Sequence, residues 1–266
     1  MKQQTAFFLT IPHSGEQVPA ECTWLQNLPE PLLMCDVDRY VDQLYYPVID
    51  DLKLLAIISP WHRYLADLNR LETDVDADSV EGSSNKGGSF TTGLHWVKTT
   101  RGEVLMHKPI TQSLHKELVK NYHRPFHDKI EKQYADFFKQ GYKQVLHLDL
   151  HSMPSLGTQA HPDPGEQRAE IVISDVDATS CDAKYKDLVI EAYESCGFQV
   201  KYSWPYKGGR LTQRYGRPAE HRHVIQVELN RSLYMNEESK QLLAEKAEIL
   251  KAKLTEAISN VVTGLS

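Results

Sequence analysis

Two histidines and a glutamate lie where a catalytic metal site could form. His13 and Glu16 are three residues apart directly after an apolar run, and His151 ends another apolar run. A His-x-x-Glu turn can chelate zinc through nitrogen and oxygen, and His151 would add a third ligand. Two histidines and one carboxylate leave a coordination position open for water, as in catalytic zinc sites. We therefore expect one Zn²⁺ on His13, Glu16 and His151, although another divalent metal would fit the same ligands.

Glu228 is the candidate general base for such a site. It lies in a mostly apolar run from Val224 to Leu229. Burial of a carboxylate there costs free energy of desolvation, so we expect the group to be catalytic or paired with a cation. A carboxylate there could take a proton from the attacking water and pass it to a leaving amine. The alternatives for the histidines are a surface turn at position 13 and a buried, backbone-satisfied side chain at position 151.

Two basic segments could bind an acidic substrate. Residues 60–70 carry Arg63 and Arg70, which could hold an oxyanion and a carboxylate if they lie at a sheet edge. Residues 204–217 are rich in glycine and cations and could close on the substrate. The candidate contacts in this segment and after it are Gly209, Arg210, Arg217 and Arg231. Solvated arginines and a plain turn are the alternatives, so the sequence leaves open which arginine contacts substrate.

Six short β-branched or aromatic runs predict the strands that would position these side chains. The runs are residues 7–11, 54–58, 144–150, 171–173, 199–202 and 223–229. The third run alternates, so His147, Asp149 and His151 share one face, and Asp149 or His147 could support His151 through a hydrogen bond. His13 and His151 would meet at the sheet edge where α/β proteins bind ligands.

Segments with helical periodicity alternate with these runs. One, residues 185–196, ends at Gly197, and another extends from Leu243 to Val261 after a predicted cap at Asn236. A third covers residues 111–140, where Pro125 must kink or divide the helix. This alternation predicts an α/β protein with a mixed, mostly parallel sheet flanked by helices.

Two long stretches, residues 73–109 and 153–168, lack regular periodicity and are expected to be functional loops. No repeat or long charge run divides the chain, so we expect a single catalytic domain over residues 1–266.

The overall charge narrows the class of partner. A formal net charge of -6 argues against binding to nucleic acid or an anionic membrane, either of which requires a positive surface. No run approaches the roughly 20 apolar residues of a membrane span. The apolar run 6–11 is shorter than a signal-peptide core, so we interpret it as the first strand of a cytoplasmic protein. The sequence does not indicate an oligomeric state.

Five motifs in a fixed order resemble the N-formylglutamate amidohydrolase family. They are Pro12-His13-Ser14-Gly15, Asp67-Leu68-Asn69-Arg70, Asp149-Leu150-His151-Ser152, Pro205-Tyr206-Lys207-Gly208-Gly209 and Gln226-Val227-Glu228-Leu229-Asn230-Arg231. The resemblance spans nearly the whole chain, from Pro12 to Tyr234. That family is similar in its core to the zinc carboxypeptidases and the aspartoacylase group, which implies the zinc-exopeptidase (phosphorylase/hydrolase-like) fold.

The resemblance also implies roles for individual residues. It implies His13, Glu16 and His151 as zinc ligands and Glu228 as the base. It implies Arg63 as the group that polarises the carbonyl. Asn69 and Arg70 would bind the substrate carboxylate, and the role of Asn69 comes from the resemblance alone.

The expected reaction is zinc-dependent hydrolysis of an N-formyl or related N-acyl group from glutamate or a similar acidic amino acid. A deacylase or carboxypeptidase with another substrate is the alternative within the same class. A catalytically silent ligand-binding relative and a metal-free hydrolase with Ser14 as nucleophile are the alternatives outside it, and no G-x-S-x-G elbow supports the latter.

Overall fold

Six strands form one mixed sheet in the part of the chain that the computed structural model describes, residues 5–265. Residues 1–4 and 266 of the predicted domain lie outside that part. The strands are β1 (Thr5–Ile11), β2 (Ala56–Ile58), β3 (Gln144–Met153), β4 (Ile171–Ser174), β5 (Val200–Tyr202) and β6 (Arg222–Asn230). Their order is β2-β1-β3-β6-β4-β5, and every neighbouring pair is parallel except β4 and β6. The prediction of a mixed, mostly parallel sheet is confirmed.

Helices flank this sheet, and their bounds are α1 (Glu30–Leu33), α2 (Val41–Asp51), α3 (Gln112–Leu118), α4 (Arg124–Lys139), α5 (Ala183–Ser195), α6 (Arg210–Tyr215) and α7 (Ala244–Gly264). The predicted division near Pro125 is confirmed, since a π-helical turn, Val119–His123, joins α3 to α4 and Pro125 lies in the first turn of α4. The predicted cap at Asn236 is wrong. Leu243 precedes α7, and the Asn236 side chain instead accepts from the N–H groups of Glu238 and Ser239.

The sheet separates two buried layers. Leu146, Leu148 and Leu150 of β3 pack into a core with α2, α5 and α7, and the opposite face of the sheet packs against α4 through Phe8 and Tyr134. The predicted alternation of β3 is confirmed, because its polar residues lie on the face away from the leucines.

The carboxyl ends of β1, β3 and β6 are neighbours at one edge of the sheet. His151 of β3 is in register with Glu228 of β6, and the chain reaches His13 two residues after β1 ends. The two predicted loops are residues 73–109 and 153–168; apart from Met153, the last residue of β3, they contain only isolated bridges, and both contribute to the cavity at this edge. Within residues 5–265, no helix is both long enough and apolar enough to cross a membrane.

Candidate metal and active site

A cavity of about 320 Å³ lies at the carboxyl edge of the sheet. The structure brings most of the predicted site residues to its wall, namely His13, Arg63, Asn69, Arg70, His151, Gly209, Glu228 and Arg231. Side chains from both long loops also line it, among them Thr92, Trp96, Thr100 and His161. These loop residues carry no sequence motif of their own, so sequence reasoning missed them.

A buried group that could bind a metal ion lies in this cavity. It consists of His13, Asp38 and His151, whose ligand atoms are all within 4.8 Å of one another. Oδ2 of Asp38 is 3.6 Å from Nδ1 of His13 and 3.0 Å from Nδ1 of His151. Nδ1 of His13 is buried and has no hydrogen-bond partner within residues 5–265. His13 and His151 therefore both direct Nδ1 toward the Asp38 carboxylate.

The other nitrogen of each histidine faces a second carboxylate. Nε2 of His13 is 2.9 Å from Oδ1 of Asp67, and Nε2 of His151 is 2.8 Å from Oδ2 of Asp149. A carboxylate that accepts from Nε2–H leaves the Nδ1 lone pair available as a ligand. Burial alone would lower the pKa of His151, but the charge and hydrogen bond of Asp149 and the hydrogen bond of Asp38 raise it well above its usual range.

Glu16 does not join this group, which corrects the prediction that it supplies the carboxylate ligand. Its carboxylate accepts from Nε of Arg39 at 2.7 Å, and its side chain is 37% exposed. The turn after His13 is pressed against the exit of β2, where a Cβ on Gly15 would come within 2.3 Å of Pro60. Glu16 pairs with Arg39, and Asp38, just before α2, lies beside the histidines.

Glu228 is buried near the metal-binding group. Nε2 of Gln226 donates to its Oε1 at 2.8 Å. Burial raises the pKa of Glu228 to about 7; His151 opposes this shift and Asp38 adds to it. A carboxylate with such a pKa can both accept and return a proton near neutral pH.

Two arginines in the cavity wall are held by protein acceptors. Arg63 donates to Oδ2 of Asp67 at 3.0 Å and lies 4.8 Å from the Trp96 ring centroid. Arg231 donates to Oδ1 of Asp38 at 3.0 Å and to the Ser152 hydroxyl at 3.1 Å. Arg231 therefore holds the carboxylate that faces the two histidines.

Asn69 and Arg70 lie side by side in the wall, next to the glycine-rich segment. Oδ1 of Asn69 accepts from the N–H of Leu211 at 2.7 Å, which leaves its amide NH₂ for another acceptor. Nε of Arg70 donates to the carbonyl of Thr92 at 2.8 Å. A Cβ on Gly209 would lie 2.1 Å from Nδ2 of Asn69, so the close approach of the two segments requires glycine.

Two predicted substrate contacts lie away from this cavity. Nε of Arg210 is 3.5 Å from Oδ2 of Asp74, and Arg210 lines a neighbouring cavity. Arg217 is exposed and pairs with Glu220. The reason is that α6 begins at Arg210 and carries the chain from the cavity to the surface, so the basic run does not line one wall.

The serine-nucleophile alternative lacks a histidine base among the described residues. The Ser14 hydroxyl is buried without a hydrogen-bond partner among the described residues. A serine nucleophile needs its histidine base within hydrogen-bonding reach, and among the described residues the titratable side chain beside Ser14 is the carboxylate of Asp42.

Comparisons with known proteins cover the same length of chain as these features. The sequence matches the family model described as N-formylglutamate amidohydrolase over residues 5–235. The N-formylglutamate deformylase of Pseudomonas putida is 26% identical over 261 residues, which are 94% of this chain and 91% of that protein. The protein of the same name from Pseudomonas aeruginosa is 26% identical over 269 residues, with coverage of 96% and 91%. The crystal structure of N-formylglutamate amidohydrolase from Ralstonia eutropha JMP134 is similar with a TM-score of 0.84 and 26% identity, and the match covers 97% of this chain and 92% of that chain.

Proposed function

Because the chain belongs to the N-formylglutamate amidohydrolase family, we propose that it hydrolyses the amide bond of N-formylglutamate to formate and glutamate. The relatives named N-formylglutamate deformylase support this substrate. One observation carries the proposal: the buried Glu228 lines the same cavity as the His13, Asp38 and His151 group. A base and a metal-binding group in one cavity are the requirements of metal-assisted amide hydrolysis.

We propose that His13, Asp38 and His151 hold one zinc ion. Two imidazole nitrogens and one carboxylate are a ligand set that zinc prefers in catalytic sites, and Nδ1 of His13 is buried with no hydrogen bond to any described residue. When bound, the ion would supply Lewis-acid activation of water and of the scissile carbonyl. Arg231 and Arg63 would keep Asp38 ionised, since both guanidinium groups lie within ion-pair distance of it.

In this proposal Glu228 moves the proton. It takes a proton from the attacking water as the new carbon–oxygen bond forms. It then gives that proton to the leaving nitrogen as the carbon–nitrogen bond breaks, so formate and the free amino group are released. The donor Gln226 holds Oε1 of Glu228 in place, which leaves Oε2 for the water.

The substrate carboxylate is proposed to bind Asn69 and Arg70. The Asn69 amide NH₂ is not used by the Leu211 contact, and both side chains line the cavity. Arg63 is proposed to face the carbonyl oxygen, where its charge would stabilise the developing oxyanion. Gly209 allows the glycine-rich segment to approach Asn69 closely. Arg231 is proposed to contribute indirectly, because it donates to the Asp38 carboxylate and holds it in place.

We further propose that residues 1–266 form one cytoplasmic catalytic domain. The core that contains β3 also contains α7, which lies beyond the matched residues 5–235.

The test is turnover of formyl, acetyl and succinyl derivatives of Glu and Asp, combined with metal analysis of the same preparations. Glu228→Gln is expected to lose about a hundredfold or more in kcat and keep its metal, whereas His151→Ala is expected to lose the metal. The exposed Glu245→Gln is the matched control and retains full activity. Full activity of Glu228→Gln would refute the assigned base. If only acetyl or succinyl derivatives are hydrolysed, N-formylglutamate is not the substrate and the enzyme is a different deacylase. Tight binding of a derivative without hydrolysis would indicate a catalytically silent ligand-binding relative.

A further inference from the structure

A second cavity adjoins the active-site cavity. Its volume is about 480 Å³, and the two cavities share four wall residues, Asp36, Thr100, Pro154 and Arg231. Lys240 also lines the second cavity, although this residue is only 2% exposed. A lysine is almost never this deeply buried unless its charge is paired.

The ammonium of Lys240 has no partner in the part of the chain that the structure describes. The hydrogen bonds of this residue involve its main chain: its carbonyl accepts from Arg39 at 2.9 Å and from Tyr40 at 3.2 Å. Its N–H donates to the carbonyl of Asn236 at 2.8 Å. Burial lowers the pKa of Lys240, and the nearby Arg231 charge lowers it further. A bound anion would oppose both effects.

The acidic and nucleophilic groups near Lys240 make no hydrogen bond to its ammonium within residues 5–265, although the charge of Glu237 partly offsets the lowering of the Lys240 pKa. The Asp36 carboxylate accepts from the Tyr64 hydroxyl at 2.6 Å and from Thr100. The Glu237 carboxylate accepts from the N–H of Ser155 at 3.0 Å. Cys35 stays a neutral thiol, because burial raises its pKa to about 11.

The main chain at Lys240 is held in a conformation that a side chain with a β-carbon disfavours. Its φ of 60° lies in the left-handed region, which costs a non-glycine residue about 1 kcal/mol or more. Glycine would relieve this strain, yet a lysine is found there with its side chain buried beside the cavity. Strained, buried and unpaired charged residues are typical of binding sites rather than of stabilising contacts.

We propose that the second cavity binds a carboxylate group through Lys240, with Arg101 as the second cation. Arg101 lines the same cavity and is exposed, and its guanidinium has no ion-pair partner within residues 5–265. An ammonium and a guanidinium that line the same cavity would both donate to a carboxylate. Because the cavity shares a wall with the active site, that carboxylate comes either from the side chain of the bound substrate or from a separate small ion.

The kinetic arm of the test distinguishes these sources and rests on the proposed function. N-formylglutamate is compared with N-formylnorvaline, which lacks the side-chain carboxylate, in wild type, Lys240→Met and Lys240→Arg. If the substrate is the source, Lys240→Met raises KM for N-formylglutamate about tenfold, leaves N-formylnorvaline unchanged, and Lys240→Arg restores part of the loss. The exposed Lys246→Met is the matched control and changes neither.

The binding arm needs no turnover, so it separates this proposal from the proposed function. Sodium formate is compared with sodium chloride at equal ionic strength, and the melting temperature is measured. If a separate ion is the source, formate raises the melting temperature of wild type but not of Lys240→Met, because a ligand that binds only the folded state stabilises it. Lys240→Met should then affect both formyl substrates to the same degree.

Folding of the variant is checked by circular dichroism and by its own melting temperature. Removal of a charge that has no hydrogen-bonding partner among the described residues, on a side chain that is 2% exposed, is expected to leave the melting temperature unchanged or higher. A lower melting temperature would show that Lys240 has a structural partner and would overturn the proposal. The proposal is also overturned if Lys240→Met leaves both KM values and the formate response as in wild type. If wild type hydrolyses neither formyl compound, the proposed function fails and the formate response alone decides.

Discussion

The side-chain amide of Gln226 donates to the carboxylate of Glu228 at 2.8 Å inside the core. The Gln226 carbonyl oxygen in turn accepts from the N–H of Gly209 at 2.7 Å, and the Thr212 hydroxyl lies 3.4 Å from it. These contacts fix which end of the Gln226 amide faces Glu228. The orientation of Glu228, the proposed base, therefore depends on the contact between Gln226 and Gly209 of the glycine-rich segment, residues 204–217.

The first prediction is that Gln226→Leu lowers kcat about tenfold to a hundredfold while KM changes little. The variant loses a hydrogen bond to a charged group, which is typically worth about 1.5–3 kcal/mol. Steady-state kinetics with N-formylglutamate measure the effect, and the exposed Gln213→Leu is the matched control. A rise in KM with unchanged kcat would mean that Gln226 acts on substrate binding instead of on Glu228.

The second prediction separates Asp38 from Glu16 as the metal-binding carboxylate. Metal analysis after dialysis should find one ion per chain in wild type and in Glu16→Gln, and little metal in Asp38→Asn. Asp38→Asn keeps the shape of the side chain, so Arg231 retains an acceptor and the fold is expected to persist. Loss of metal from Glu16→Gln, with retention in Asp38→Asn, would restore the ligand set predicted from the sequence.

The difference between Glu16, which the sequence predicted as a ligand, and Asp38, which lies beside the histidines, shows which features local sequence patterns can predict. The strands follow from β-branched runs, and the polar face of β3 follows from a period of two, because both patterns reflect burial within one element. His13 and His151 could be predicted for the same reason, since each lies at the end of a strand. Asp38 could not, because it comes from the irregular segment before α2, and only the packing of that segment brings it to the histidines. Spacing suggested Glu16 but could not show which way its turn points.

The third prediction concerns a chain of buried hydrogen bonds behind His151. The Thr10 hydroxyl donates to Oδ1 of Asp149 at 2.7 Å and lies 2.7 Å from Nε2 of His147. Because the single hydroxyl proton goes to Asp149, Nε2 of His147 must donate to Thr10, and Nδ1 is left to accept from Tyr134 at 3.0 Å. Burial lowers the pKa of His147 to about 4, which keeps it neutral as this arrangement requires.

Thr10→Val is expected to weaken metal binding about tenfold. The Asp149 carboxylate, which supports the proposed ligand His151, would lose its own donor, and such outer contacts typically change metal affinity by about 10–100-fold. Competition with a chelator measures the affinity. Thr5→Val is the matched control, since Thr5 is a buried threonine of the same strand whose hydroxyl faces Tyr185. Equal metal affinity in all three proteins would show that the chain of hydrogen bonds is only structural.

The fourth prediction is a loss of stability in mild acid that depends on His127. Burial, with smaller contributions from His123 and Arg214, lowers the pKa of this side chain to about 2 from 6.5. Below pH 6.5 the unfolded chain therefore binds a proton that the folded chain does not, so the free energy of unfolding falls as the pH falls. Between pH 7.5 and 5.5 one such histidine removes about 1.4 kcal/mol.

Urea unfolding of His127→Gln at the two pH values tests this, because glutamine does not titrate. The variant is expected to lose about 1.4 kcal/mol less than wild type over this interval. Tyr215→Phe is the control: it removes the hydroxyl that lies 2.8 Å from Nδ1 of His127 but keeps the titrating ring. That control should be less stable than wild type at both pH values with the same pH dependence. An equal loss in His127→Gln and wild type would mean that the folded chain protonates this histidine, contrary to the burial of its ring against α6.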